Sequence, residues 1–301
     1  LVDNGIKFTV LSPYQALKMK KSTDKEWQDV SWGNIDPARS YKYTIKSDPT
    51  KSIDLFFYDG AISRSVAFDE LLTDGNKFIK RLKEGVSELR DYPQLINIAT
   101  DGESYGHHTK FGDMALSYVL KIKAEDEGFK ITNYAEYLDK YRSNYEVDIK
   151  QASSWSCFHG VGRWSDDCGC STGGHPGWNQ KWRKPLREAL DYLRDHFAEI
   201  FEQEGAKYFN TDVWEVRNRY IEVILDRTYS KIKKFQKDNF KPDLSEEEKI
   251  KGMELLEIQR QAMLMYTSCG WFFSEISGIE TVQIMKYAAR AMQLASKFSK
   301  E

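Results

Sequence analysis

Asp101-Gly102-Glu103 sets two carboxylates one residue apart, and Tyr105, Gly106, His107 and His108 follow in the same stretch, LINIATDGESYGHH, residues 95–108. Carboxyl and imidazole groups are the side chains that most often give and take protons in general acid–base catalysis. Asp-Gly is also a common turn pair, so the carboxylates alone carry little weight. Five polar, ionisable or aromatic side chains (Asp101, Glu103, Tyr105, His107, His108) crowded behind one apolar run carry more. They point to an active site.

The element that would position them is that run, residues 95–99. It is long enough for one buried strand and too short for a helix. Residues 1–11, LVDNGIKFTVL, read as a helix end, a turn at Asn4-Gly5 and a strand. Further strands are expected at 41–45 and 53–58, and helices at 68–83 and 111–125. Asp54 and Asp59 flank one of these strands, and Asp59-Gly60 ends it where it could line a cleft. Strands alternating with helices imply a parallel sheet covered on both faces, with its chemistry in loops at the C-terminal ends of the strands. Only about four strands can be counted where a closed barrel needs roughly eight. Residues 1–130 are therefore expected to be the second half of a barrel, the first half lying upstream.

From residue 131 the pattern turns helical, with helices expected at 133–141, 180–202, 211–237, 245–266 and 278–299. The charged stretch 233–252 contains Pro242 and reads as a solvated connection in which Ser245 caps a helix with an acidic first turn, Glu246 to Glu248. Inside this helical domain, residues 153–178 hold Cys157, Cys168, Cys170, His159, His175, Trp155, Trp164, Trp178 and six glycines. Three chemistries fit such a loop. Zinc could take the three thiolates with His159 or His175, although the cysteine spacing, ten residues and then one, matches no standard zinc motif. A disulfide is the second. The third, which we favour, is a rigid wall beside the active site with tryptophans as stacking surfaces. In residues 267–283, Trp271 either plugs the core between two helices or completes a sugar-binding cleft.

Composition narrows the function classes. Among 301 residues, 44 basic and 46 acidic side chains give a net charge of −2, which provides no footprint for nucleic acid or a membrane surface. No apolar run reaches the roughly 20 residues of a membrane span, and no signal-peptide pattern opens the chain. Four cysteines do not make a disulfide framework, so a reducing cytoplasm is expected.

The string DGESYGHH resembles the motif that carries the catalytic acid/base aspartate in glycoside hydrolase family 57. The longer strings SSWSCFHGVGRWSDDCGCSTGGHPGWNQKWR and TSCGWFFSEISGIETVQIMKYAARA are similar to the uncharacterised helical domain fused behind the barrel in one branch of that family. The resemblance implies an α/β part followed by an all-α part: the C-terminal half of an incomplete (β/α)7 barrel, then a helical domain. It implies a retaining glycoside hydrolase or glucanotransferase acting on α-glucans without a cofactor. By position in the motif Asp101 resembles the acid/base, and Glu103, His107 and His108 look like its substrate-binding neighbours. Asp59, Trp155, His159, Trp164 and Trp271 complete the expected substrate-binding set. The family's nucleophilic glutamate lies upstream of the region similar to the start of this chain, so the fragment alone is expected to be inactive. Two other classes stay open. One is a non-catalytic carbohydrate-binding module. The other is a metal-dependent, polysaccharide deacetylase-like hydrolase using Asp101, His107 and His108, against which adjacent histidines point in different directions.

Overall fold

The structure is a computed structural model that describes residues 1–171 and 173–299. The chain divides into two compact units, Leu1–Phe158 and His159–Glu301.

In the first unit Gly5, at φ 77°, ends a 3-10 turn over Val2–Asn4 in a left-handed conformation that glycine tolerates without cost, and releases the chain into β1 (Phe8–Leu11). Then come β2 (Ala16–Lys21), β3 (Gln28–Asp29), β4 (Ser40–Thr44), β5 (Ser52–Phe57), α1 (Gly60–Phe68) and α2 (Gly75–Lys83). After α3 (Gly112–Tyr118) the helix passes through a π turn, Val119–Lys123, into α4 (Ala124–Asp126), and α5 (Tyr134–Lys140) and β6 (Tyr145–Ile149) finish the unit. The six strands form one sheet in the order β1-β5-β4-β6-β2-β3. Strand β5, paired on both sides, sends alternate side chains into two cores. Ile53, Leu55 and Phe57 join Ala16, Tyr41 and Val147, while Phe56 turns to Leu95 and Tyr137.

The sheet is mixed, not parallel as expected. Strand β1 runs parallel to β5 and β4 to β6, but the β4/β5, β2/β6 and β2/β3 pairs are antiparallel. Strands β2 and β6 were not expected because lysines and carboxylates occupy their outward positions. The ammonium groups of Lys18 and Lys20 lie 5.1 and 5.3 Å from the Trp27 ring, which shows how lysine stems can cover a sheet. The expected strand at 95–99 is also absent as a ladder. This stretch is extended, but its hydrogen bonds go to unlike partners: Leu95 N to Ala38 O (2.9 Å), Asp59 N to Asn97 O (2.9 Å) and Ala99 N to Ser63 Oγ (3.1 Å). The helix expected at 68–83 is likewise divided, with a 3-10 turn at Leu71–Thr73 between α1 and α2 and Asp74 capping the second. Strand β6 belongs to this sheet and so to the first of the two compact units.

The second unit is helical: α6 (Arg183–Tyr208), α7 (Val213–Arg219), α8 (Ile221–Leu225), α9 (Tyr229–Asn239), α10 (Glu246–Leu264) and α11 (Ile279–Ala295). Ser245 and Glu248 form the capping box that the sequence announces. Phe197, Phe201, Leu255, Leu256, Ile258, Ile284 and Ala291 build the core. The single helix expected at 211–237 is three. Its line breaks at Tyr220 and again at 226–228, where Asp226 accepts from the Thr228 amide and closes a turn. No helix among the described residues is long and apolar enough to cross a membrane.

Candidate active site

Parallel pairing of β1 with β5 sets Leu11 beside Phe57, and Tyr58 N continues the contact by donating to Leu11 O at 3.3 Å. Asp59 N then donates to Asn97 O. The loops at 12–15, 58–60 and 100–108 therefore leave one edge of the sheet together. The first two approach closely: a Cβ on Gly60 would lie 3.3 Å from Pro13 Cγ.

Asp101 stands at this edge in extended conformation (φ −65°, ψ 142°), heading a 3-10 turn over Gly102–Tyr105. Its carboxylate caps no amide of that turn and is exposed, which leaves it available to a ligand. The backbone of Glu103 fixes both histidines, since its carbonyl accepts from His107 N at 3.0 Å and His108 N at 2.9 Å. Glu103, His107 and His108 are exposed, with the imidazole rings 5.0 Å apart and edge-on. Thr100 Oγ1 and the Tyr105 hydroxyl, 2.9 Å apart, close the base of the loop. Asp59 performs a local task, its Oδ1 accepting from Ile62 N at 2.8 Å as the cap of α1. It borders the edge, but part of its carboxylate is committed.

The residues that the sequence did not single out are aromatic. Phe111 ends the loop at φ 63° and is 60% exposed, a left-handed conformation that is unusual for a bulky side chain. Tyr14, in the loop after β1, meets the Phe158 ring at 6.4 Å, and Gly33 tucks against it so that a Cβ there would lie 3.3 Å from Tyr14 Cε1. The neighbouring Trp32 sits at φ 63° and is 77% exposed. Gln15 Nε2 donates to Ser153 O (3.1 Å) and Ser153 Oγ (3.3 Å), which fastens the stretch carrying exposed Trp155 to the loop after β1. No sequence period marks these residues, because they lie in loops rather than on one face of a helix or strand.

In the second unit Trp271 and Trp164 both pack on the helical core. Trp271 is fully buried, stacked on Trp182 at 6.1 Å with the Arg187 guanidinium 5.8 Å from its ring, a core position. Trp164 is half-buried against the same core. His159 meets a sulfur: its Nδ1 lies 3.3 Å from Cys170 Sγ. His175 instead stacks on Trp178 at 5.3 Å, with Nδ1 2.7 Å from Pro176 O. One ligand atom each from Cys157, His159, Cys168 and Cys170 lies within 4.8 Å of the others, whereas Asp101, His107 and His108 form no such group among the described residues. A recess of about 340 Å³ is lined by Cys269, Ile279, Gln283 and Tyr287, among others, and involves none of the expected site residues.

Residues 178–301 match a domain of unknown function, DUF3536, and residues 1–150 match the family described as glycosyl hydrolase family 57. Among solved structures the chain is similar to an exo-type maltose-forming amylase from Pyrococcus sp. ST04, with a TM-score of 0.69 at 17% identity, covering 97% of this chain and 51% of that one. At that identity the likeness shows a shared fold, and the chain spans about half the length of the amylase. No curated protein matches it. Through residues 1–150 the chain belongs to glycosyl hydrolase family 57.

Proposed function

We propose that this chain serves a retaining glycoside hydrolase or glucanotransferase of α-glucans, with Asp101 as the acid/base. In this reading its sheet contributes to an incomplete (β/α)7 barrel. The observation that carries the proposal is the exposed carboxylate of Asp101, which caps no helix and follows the 95–99 stretch bonded to the end of β5, in a family 57 chain.

Retaining hydrolysis needs two carboxyl groups roughly 5–5.5 Å apart. Asp101 would first donate its proton to the glycosidic oxygen, so that the departing sugar leaves as a neutral alcohol. The same carboxylate would then take a proton from water, giving hydrolysis, or from a second sugar, giving transfer. The nucleophile in this reading is the glutamate that the family resemblance puts upstream of β1. Asp59 is a poor substitute because it caps α1. Exposed Glu103, His107 and His108 would hydrogen-bond sugar hydroxyls in this reading. Tyr14, Trp32, Phe111, Trp155 and Phe158 offer ring faces for stacking, since aromatic side chains combine broad apolar contact with restricted geometry.

A non-catalytic glucan-binding module is the second reading, favoured by the same exposed rings. One assay separates the two. The full polypeptide carrying these residues is incubated with maltooligosaccharides, and the anomeric form of the first product is followed by NMR. Release of α-configured product supports the retaining enzyme. Tight maltooligosaccharide binding without cleavage would make the chain a binding module.

A further inference from the structure

We propose that Cys157, His159, Cys168 and Cys170 bind a zinc ion in a closed Cys3His site that holds the 157–170 segment in shape. The proposal stands apart from the glucan reading, because none of its four ligands is among the residues that reading uses on the sugar.

The geometry comes first. The four ligand atoms all lie within 4.8 Å of one another, and the His159 Nδ1 to Cys170 Sγ distance is 3.3 Å. A tetrahedral zinc with Zn–S of about 2.3 Å and Zn–N of about 2.0–2.1 Å places its ligand atoms roughly 3.5–3.8 Å apart. The observed group is within about an ångström of that figure before any ion draws it together. Thiolate and imidazole are the donors zinc prefers, and four protein ligands would fill its coordination sphere. The site is therefore structural, with no position left for a reacting water.

The sequence builds the group from two i, i+2 pairs. Cys157 and His159 form one, Cys168 and Cys170 the other, and a tight reversal joins them. Residues Gly162–Trp164 make a 3-10 turn, Asp166 N donates to Gly162 O at 2.7 Å, and Cys168 N donates to Asp166 O at 3.0 Å. Gly162 sits inside this reversal, where a Cβ would lie 3.3 Å from Cys168 Cβ and 3.8 Å from His159 Cβ. Gly169, at φ 75°, turns the chain between the last two cysteines. This construction explains why the linear spacing matches no familiar zinc motif.

The surroundings supply a counter-charge. Arg183 is fully buried, and its Nη1 donates to Cys168 Sγ at 3.4 Å while Nη2 donates to the carbonyls of Phe272 and Phe273. A zinc ion with three thiolates and one neutral imidazole carries −1, and a guanidinium beside a ligating sulfur has the complementary sign. A bond from Arg183 to a ligating sulfur is the kind of outer contact that orients metal ligands. Gln180 Nε2 adds a bond to Cys170 O (3.3 Å) and one to Ser274 Oγ (2.8 Å), which fastens the cysteine turn in place. His175, occupied with Trp178 and Pro176, is not a ligand in this scheme.

The test measures metal directly. The chain is purified without metal-affinity resin and analysed for zinc by mass spectrometry, and its thiols are titrated before and after a mercurial displaces the metal. We expect one zinc per chain, released together with three thiols. His159→Ala and Cys168→Ser should each lower zinc content at least tenfold, while His175→Ala keeps it. Should the ligand variants fail to fold, Co²⁺ added to the metal-stripped wild-type chain decides. Thiolate-to-cobalt charge transfer with tetrahedral d–d bands is expected. Three thiols that titrate at once in folded, zinc-free protein would overturn the site, as would a disulfide within the trio, an octahedral cobalt spectrum or loss of zinc in His175→Ala.

Discussion

The backbone amide of Asp59 donates to the carbonyl oxygen of Asn97 at 2.9 Å, and this bond holds the end of β5 against the stretch that leads to Asp101. The Asn97 side chain reinforces it from a buried position. Its Nδ2 donates to Pro37 O (2.9 Å) and Phe57 O (3.4 Å), and its Oδ1 accepts from the Tyr134 hydroxyl at 3.2 Å. Replacing Asn97 with leucine keeps the bulk and strands these groups without partners. The expected loss is about 1–3 kcal/mol of unfolding free energy, read as a lower denaturant midpoint. An unchanged midpoint would show that the 95–99 stretch is held by its backbone alone.

Two tryptophans with similar sequence settings should behave in opposite ways. Trp271→Ala empties a fully buried site and should cost about 3–5 kcal/mol of stability. Trp155→Ala removes an exposed ring and should leave stability within about 0.5 kcal/mol while weakening maltooligosaccharide binding. Denaturant melts and titration calorimetry on both variants read these effects. Unchanged affinity in Trp155→Ala would remove that residue from the binding surface.

Acid should loosen the helical unit through Glu257. Burial raises this carboxyl, but hydrogen bonds from Tyr220 (2.6 Å) and Arg227 (2.8 Å), with the charges of Arg227 and Arg260, outweigh it and hold the group below the usual glutamate value. A folded value below the unfolded one means the contribution is complete above the unfolded pKa, about 4.3, and is lost as pH falls through the folded value. Thermal melts from about pH 7 down to about pH 3 should show Glu257→Gln less stable at neutral pH, with the gap to wild type closing in acid. A gap that does not change with pH would contradict this.

How much of this was legible in the sequence depends on where each signal resides. The capping box at Ser245 and Glu248 is local, so the start of α10 could be read directly. Strand β5 is as clear, because alternate residues must fill two cores. Residues 95–99 misled because Asn97 spends its side chain on the carbonyls of other segments, a non-local fact. Strands β2 and β6 were hidden by charge. At the candidate site the carboxylates of 101–103 were visible in order and spacing, whereas Tyr14, Trp32 and Phe158 were not, since tertiary turns assemble them. The choice of His159 over His175 beside the cysteines rests on a chain reversal at Gly162, which no spacing rule encodes.

The most direct measurement is Asp101→Asn in the full polypeptide that carries these residues, assayed on maltooligosaccharides and on an aryl α-maltoside with an activated leaving group. A lost general acid should slow sugar departure by about 10²–10⁴ and spare the activated aryl group, which needs no proton to leave. Maltooligosaccharide binding should persist. Equal rates for variant and wild type on maltooligosaccharides would contradict the assignment of Asp101 as the acid/base.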